Sequence, residues 1–160
     1  KRALITGAGS GIGRAIALRL AEEGMKLALV GRSADKLMRT AALTGRPLDM
    51  LVLPADITAK RGMDDILHIL EGHFKGLDAL VNSAGTAAQE LCERALPLLR
   101  TSESPVILDI GPGLALPADL ADGIRVEALA CGEADEEALR ALAEQAVQII
   151  GRVSRRSASD

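Results

Sequence analysis

The feature that most constrains this chain is a glycine-rich turn near its beginning. A short apolar run from Arg2 to Thr6 leads into glycines at positions 7, 9, 11 and 13. Apolar residues then recur at helical spacing until Gly24, a residue type that commonly follows a helix end. This succession predicts a β-strand, a tight turn and the N-terminus of an α-helix.

The glycines of the turn have separate expected roles. Gly7 can adopt the positive φ of a sharp turn, and Gly11 lets the backbone approach a ligand without an intervening Cβ. Gly13 allows the helix to pack closely on the strand. The free N–H groups and the dipole of the first helical turn favour an anion. We therefore predict a phosphate site formed by Gly7, Gly9, Ser10, Gly11, Ile12 and Gly13, although a glycine turn without a ligand is an alternative.

Length and composition define the class of protein. The 160 residues, 48% of them hydrophobic, are typical of one globular domain, which we place at residues 1–151 with a polar tail at 152–160. A net charge of -3 gives no basic field for nucleic acid. No signal peptide or membrane span is recognised, and two cysteines cannot form a disulfide framework. We expect a cytoplasmic protein without membrane or nucleic-acid partners.

Further apolar runs alternate with helical patterns along the chain. We predict strands at residues 27–30, 50–53, 77–82, 106–110 and 124–129, and a last helix at about 133–150. Near-continuous apolar strands predict a parallel sheet with helices on both faces. The fold class is α/β, a doubly wound, three-layer αβα sheet of Rossmann type with strand order 3-2-1-4-5-6. Residues 111–123, between strands 5 and 6, are too few for a full crossover helix.

This strand order predicts where a ligand binds. In an open parallel sheet of this kind, the ligand lies outside the carboxyl ends of strands 1 and 4. The glycine turn follows strand 1 and Asn82 ends strand 4, so both fall at the same edge. The two observations together favour a nucleotide site. A methyltransferase-like site is the main alternative, but it usually has an acid after strand 2, where this chain has Gly31 and Arg32.

Four segments resemble the short-chain dehydrogenase/reductase family. Residues 6–13 match its cofactor loop, and residues 123–126 look like its entry into strand 6. The segment after strand 3, formed by Asp56, Ile57 and Thr58, matches its adenine-contacting acid. The segment after strand 4, formed by Asn82, Ser83, Ala84 and Gly85, is similar to its N-N-A-G motif with Ser in place of one Asn. The resemblance is specific from residue 1 to about residue 86, and it is patchy from there to about residue 132.

The resemblance implies a nicotinamide dinucleotide cofactor. It implies that Asp56, with Ile57 beside it, contacts the adenine, and that Asn82, Ser83, Ala84 and Gly85 line the ribose and nicotinamide side. Asp56, Ile57 and Thr58 are also expected to form a capping turn between strand and helix.

The end of strand 2 bears on the choice between NADP and NAD. An NAD site places an acid about twenty residues after the glycines, whereas an NADP site supplies an Arg. Here the strand ends with Gly31, Arg32 and Ser33. Arg32 and Ser33 can hold a 2′-phosphate by charge-assisted hydrogen bonds, so NADP is favoured over NAD, with a solvated surface arginine as the alternative.

The resemblance further implies hydride transfer between the cofactor and a small carbonyl or alcohol substrate, by a Ser, a Tyr and a Lys. The chain contains no Tyr, and Gly111 and Pro112 occupy the expected position of the Ser. We therefore assign no catalytic residue. Three interpretations stay open: part of a longer oxidoreductase, a designed or minimised dinucleotide-binding core, and a natural non-catalytic NADP-binding module.

Other candidate chemistry is weak. His68 and His73 lack a neighbouring carboxylate or cysteine at ligand spacing, so no metal site is predicted. Asp64 and Asp65 are expected to be solvated helix residues. Cys92 is expected to be a small buried residue. A homo-oligomer is possible, and the substrate cannot be identified from these residues.

Overall fold

The computed structural model describes residues 1–83, 87–111, 122–130 and 135–158, with side chains to Gly151. It confirms the predicted fold class. Six parallel strands form one sheet in the order β3-β2-β1-β4-β5-β6. The strands are β1 Arg2–Thr6, β2 Lys26–Gly31, β3 Met50–Pro54, β4 Ala79–Asn82, β5 Val106–Ile110 and β6 Arg125–Leu129.

Five α-helices are present in the part of the chain that the structure describes. They are α1 Gly11–Glu22, α2 Ala34–Leu43, α3 Lys60–His73, α4 Ala88–Leu99 and α5 Glu136–Ala158. A short 3₁₀-helix, Pro47–Asp49, precedes β3.

Several element boundaries differ from the sequence prediction, and two of the differences have a visible cause. Strand β4 starts at Ala79 rather than at residue 77, because the N–H of Leu77 donates to the Leu98 carbonyl of α4 at 2.9 Å. Helix α5 continues to Ala158, so the backbone at 152–158, expected to be a polar tail, is helical. Residues 152–158 contain no proline or glycine that would end the helix.

Alternate residues along each strand face opposite sides of the sheet, as the strand geometry requires. On one side, Ile5 and Leu29 belong to a core that includes residues of α1, α2 and α5. On the other side, Leu4 and Ala28 belong to a core that includes residues of α3 and α4. Both faces of the sheet are therefore covered by helices. The turns that follow the strands lie at the carboxyl edge of the sheet.

Strand register brings four turns to that edge. Ile5 of β1 pairs with Leu29 of β2 and Val81 of β4, and Gly31 of β2 pairs with Pro54 of β3. The turns after β1, β2, β3 and β4 therefore begin side by side. Those after β1, β2 and β3 line one cleft, described below.

Helix α3 offers a matched test of close backbone packing. A Cβ at Gly62 would lie 2.3 Å from the Asp56 carbonyl oxygen, whereas a Cβ at Gly72 would meet no atom within 4 Å. Gly72→Ala should raise the free energy of unfolding by about 0.5–1 kcal/mol, because alanine loses less backbone entropy in a helix. Gly62→Ala should lower it by about 1–3 kcal/mol through overpacking.

Urea denaturation followed by circular dichroism measures both changes. Stabilisation of the same size in both variants would contradict the close contact between α3 and the turn at Asp56.

Candidate functional site

The glycine turn has the predicted backbone conformation. Gly7 has φ of 62°, and Gly11 also has positive φ, at 53°. A Cβ at Gly13 would lie 2.1 Å from the Gly7 carbonyl oxygen. The expected roles of Gly7 and Gly13 are thus confirmed, and Gly11 is needed for its conformation as well as for its open surroundings.

The first turn of α1 has the chemistry of an anion site. It contains no acidic residue, and the side chain of Ser10, the N-cap residue, makes no hydrogen bond to it. Backbone N–H groups at a helix N-terminus have no partner within the helix, and the dipole adds partial positive charge there. The turn is fixed to the sheet because the N–H of Ala8 donates to the Val30 carbonyl at 3.1 Å.

The turns after β1, β2 and β3 enclose a cleft of about 410 Å³. Gly7, Gly9 and Ser10 line it from the glycine turn. Arg32, Ser33 and Lys36 line it after β2, and Asp56 and Ile57 line it after β3. The structure therefore brings the first half of the predicted phosphate turn together with the predicted 2′-phosphate and adenine residues. Gly11, Ile12 and Gly13 are not among the residues that line this cleft, and Gly11 lines the neighbouring groove between α1 and α5.

Arg32 and Asp56 face each other across this cleft. The Nη2 atom of Arg32 lies 3.5 Å from Oδ1 of Asp56, and the two side chains are 73% and 48% exposed. An ion pair this exposed contributes little to stability, so the guanidinium remains free to bind a ligand. Ser33 is the N-cap of α2, and its Oγ accepts from the Lys36 N–H at 3.3 Å.

Asp56 forms the capping turn that the sequence predicts. Its Oδ1 accepts from the Thr58 N–H at 2.9 Å and from the Thr58 hydroxyl at 2.5 Å. These hydrogen bonds hold the pKa of the Asp56 carboxyl below its usual value, and the charge of Arg32 lowers it further. Ile57 is 7% exposed and packs among core residues while lining the cleft.

The end of β4 is joined to the end of β1. The Ser83 N–H donates to Oγ1 of Thr6 at 3.1 Å, and the Ser83 hydroxyl donates to the Thr6 carbonyl. Ala84 and Gly85, predicted to continue this segment, lie outside the described residues.

Asn82 is buried beside this junction, with 1% of its surface exposed. Its Nδ2 donates to Sγ of Cys92 at 3.0 Å, and its Oδ1 has no hydrogen-bond partner among the described residues. Burial raises the pKa of the Cys92 thiol to about 11, so it is neutral at physiological pH. Cys92 is buried, as predicted, but the sequence did not predict its contact with Asn82.

Sequence reasoning missed Lys36 and Thr40 of α2. Lys36 lines the cleft. Its position three residues after Ser33, the N-cap of α2, is only a weak indication in the sequence that its side chain lies near the site. Thr40 is fully buried, and its hydroxyl donates to the Ala8 carbonyl at 2.8 Å. It stands with Leu37 and Ala41 on the buried face of the helix, so a polar residue in an apolar stripe was the available clue.

The remaining candidates lie elsewhere. Asp64 pairs with Arg94, and Asp65, His68 and His73 are exposed. Within the described ranges no group of three or more side chains could hold a metal ion. A search of the same ranges finds no helix long and apolar enough to cross a membrane.

The capping turn at Asp56 generates a pH prediction. The pKa of Asp56 should be below that of an unfolded aspartate, and Thr58→Val should raise it more than Arg32→Ala, since the Thr58 hydroxyl makes the larger contribution. Because the folded pKa is lowered, the turn is stabilised above the unfolded pKa and loses this contribution as pH falls through the folded pKa. NMR titration of the Asp56 carboxyl measures each pKa. A larger rise in Arg32→Ala would contradict the assignment.

The sequence of this chain is similar to that of known oxidoreductases. The family model described as short chain dehydrogenase matches residues 1–101. An uncharacterized oxidoreductase of Staphylococcus aureus is 47% identical over 85 residues, which is 53% of this chain and 36% of that protein. The chain thus spans about a third of the length of such relatives.

The fold of this chain is also similar to that of solved oxidoreductases. Glucose dehydrogenase of Caenorhabditis elegans, in its apo form, superposes with a TM-score of 0.76 at 25% identity, covering 92% of this chain and 87% of that chain. L-sorbose reductase of Gluconobacter frateurii, solved with NADPH and L-sorbose, has a TM-score of 0.63 at 30% identity, covering 69% and 51%. With the family match over residues 1–101, the chain belongs to the short-chain dehydrogenase family.

Proposed function

We propose that this chain binds NADP(H) at the carboxyl edge of the sheet, as an oxidoreductase of the short-chain dehydrogenase/reductase type. Its reaction would be hydride transfer between the nicotinamide and a small carbonyl or alcohol substrate. The observation that carries the choice of cofactor is Arg32, which lies at the end of β2 in the same cleft as the glycine turn.

The diphosphate would bind the glycine turn. The backbone N–H groups of Gly9, Ser10, Gly11, Ile12 and Gly13 are the expected donors, with Gly7 shaping the turn. The absence of an acid from the first turn of α1 and of a side-chain cap from Ser10 fits an anionic ligand. The positive φ and open surroundings of Gly11 fit a close approach of the ligand to the backbone.

The adenosine end would lie between the turns after β2 and β3. Arg32 and Ser33 would hold the 2′-phosphate, with Lys36 adding a second positive charge in the cleft. Asp35, in the first turn of α2, is exposed and is not among the residues lining the cleft. Asp56 and Ile57 would contact the adenine. NAD is less favoured because no acid stands at the end of β2 to accept from a ribose 2′-hydroxyl.

The nicotinamide end would lie near the end of β4. We place Asn82, Ser83, Ala84 and Gly85 along it. The bound cofactor would supply or accept the hydride. Oδ1 of Asn82, which is buried and has no hydrogen-bond partner within the part of the chain that the structure describes, would present an acceptor for a donor group. L-sorbose reductase, whose fold is similar, was solved with NADPH, which supports a nicotinamide dinucleotide as the ligand.

A second candidate is an NADP-binding module without turnover. It is favoured by one observation: the sequence contains no tyrosine, whereas proton transfer in the family's reaction uses one. Loss of a general acid or base typically lowers a rate by about 10²–10⁴-fold. NADPH consumption with a panel of ketones and aldehydes separates the two candidates. Turnover supports the oxidoreductase, and tight binding without turnover supports the module.

We further propose that the protein is cytoplasmic. Light scattering of the purified chain tests whether it forms a homo-oligomer.

The choice of NADP over NAD can be tested by a charge reversal at Arg32. Arg32→Asp should weaken NADPH binding by about 10–100-fold, the equivalent of a lost charged hydrogen bond, and should move preference toward NADH. Arg39→Asp, which makes the same charge change at an exposed position of α2 away from the cleft, is the control. Calorimetry with both dinucleotides measures the ratio. Equal effects of the two variants would show that Arg32 is only a surface charge.

The phosphate turn can be tested with a pair of glycines. Gly11 and Gly45 have φ of 53° and 69°, and an added Cβ meets nothing within 4 Å at either. Alanine at either position should lower the free energy of unfolding by about 1–2 kcal/mol through left-handed backbone strain. Only Gly11→Ala should also weaken NADPH binding, because its Cβ would occupy the approach to the diphosphate. Unchanged NADPH affinity in folded Gly11→Ala would rule out the phosphate turn.

A further inference from the structure

Three elements around the cleft are connected by one buried hydroxyl. The Thr40 hydroxyl of α2 lies 2.8 Å from the Ala8 carbonyl and 3.1 Å from the Lys36 carbonyl, and it donates its one hydrogen to the nearer of them, Ala8. It accepts from Nε of Arg14 of α1 at 2.9 Å. Nη2 of the same arginine donates to the Lys36 carbonyl at 3.1 Å. We call this set of contacts, made by Ala8, Arg14, Lys36 and Thr40, the Thr40 brace. It joins the glycine turn to the first turn of α2 through both helices.

The brace acts on the part of α2 that lines the cleft. The Lys36 carbonyl is held by Arg14, while the Lys36 N–H donates to Oγ of Ser33 at 3.3 Å. A Cβ at Gly9 would lie 3.0 Å from Cβ of Lys36, so the glycine turn and α2 are also in close contact. The separation between the turn at Gly9 and the segment at Ser33 is therefore fixed by contacts at Lys36.

Arg14 serves this brace rather than the cleft. Its Nε and Nη2 are both engaged by α2, and Arg14 lines a different groove, between α1 and α5. It does not line the cleft that holds Arg32 and Ser33. Thr40 is fully buried and has no access to a ligand. Neither residue is thus a candidate for direct contact with the cofactor.

NADP(H) and NAD(H) place different demands on this geometry. Both carry the diphosphate, but NADP(H) alone carries the 2′-phosphate, so it must fit the glycine turn and the Arg32 segment at once. A preorganised separation between two sites favours the ligand that bridges both. A ligand that uses one of the two anion sites gains less from that separation.

We propose that Thr40 and Arg14 are positioning residues that set the selectivity for NADP(H) over NAD(H), by fixing the distance between the two anion sites. This inference rests on the proposed function, because it assumes that both anionic groups of the cofactor bind in the cleft. It adds that selectivity depends on residues that touch neither group.

The test measures the dissociation constants of NADPH and NADH for Thr40→Val, which keeps the shape and removes the hydroxyl. The variant should weaken NADPH binding by about 3–10-fold more than NADH binding, the range expected for one hydrogen bond. Thr40→Ser, which keeps the hydroxyl, should restore the ratio. Thr44→Val is the matched control, because the Thr44 hydroxyl donates at 2.6 Å to the Ala41 carbonyl of the same helix, away from the glycine turn.

A structural role alone would lower the melting temperature without moving this ratio. An unchanged NADPH/NADH ratio in folded Thr40→Val would therefore overturn the inference. Where Thr40→Val fails to fold, Arg14→Gln replaces it, with Arg19→Gln of the same helix as its control, since Arg19 pairs with Glu22, Glu23 and Glu144 instead.

A double-mutant cycle with Arg32→Ala tests the coupling. Once Arg32 is removed, Ser33 and Lys36 remain, so Thr40→Val should change the NADPH/NADH ratio by less than it does in the wild-type background; a change of the same size in both backgrounds would also overturn the inference. Failure of the wild-type chain to bind either dinucleotide would instead refute the proposed function, so the two failures are distinguishable.

Discussion

The contact on which the site depends is the close approach of α1 to the end of β1. A Cβ at Gly13 would lie 2.1 Å from the Gly7 carbonyl oxygen, so these elements meet only where a side chain is missing. The approach puts the N-terminus of α1 directly after the strand and next to the turn after β2, through the Ala8–Val30 hydrogen bond. The helix dipole and the unpaired N–H groups then act at the carboxyl edge of the sheet. The cleft therefore depends on two features: glycines without side chains allow the close approach, and the parallel sheet places the turns next to one another.

The charges of the cleft are arranged around this edge. Its positive side chains, Arg32 and Lys36, come from the turn after β2 and from α2, while Asp56 is held by Thr58 in a turn that keeps it anionic. Arg32 and Asp56 form an exposed pair, which is weak because water screens it. A phosphate can therefore compete for the guanidinium. Selectivity in such a site depends on geometry as much as on charge. In our proposal, the Thr40 brace fixes that geometry by setting the distance between the two anion sites.

Much of this arrangement could be predicted from the sequence because its signals are local. The alternation of apolar runs and helical patterns gave the strand order, and the glycine spacing gave the turn. The missed features depend on tertiary contacts: Thr40 reaches Ala8 across 32 residues, and Asn82 reaches Cys92 on a neighbouring helix. Helix α5 was predicted too short because the polar residues after Gly151 remove the apolar periodicity without containing a helix breaker.

The central claim is that the glycine turn and the Arg32 segment hold one NADP(H) molecule between them. A crystal structure of the chain with NADP⁺ tests it most directly. We expect the diphosphate against the N–H groups of residues 9–13 and the 2′-phosphate within hydrogen-bond distance of Arg32 and Ser33. A dinucleotide bound elsewhere, for example in the groove between α1 and α5, or with its 2′-phosphate directed away from Arg32, would contradict the account.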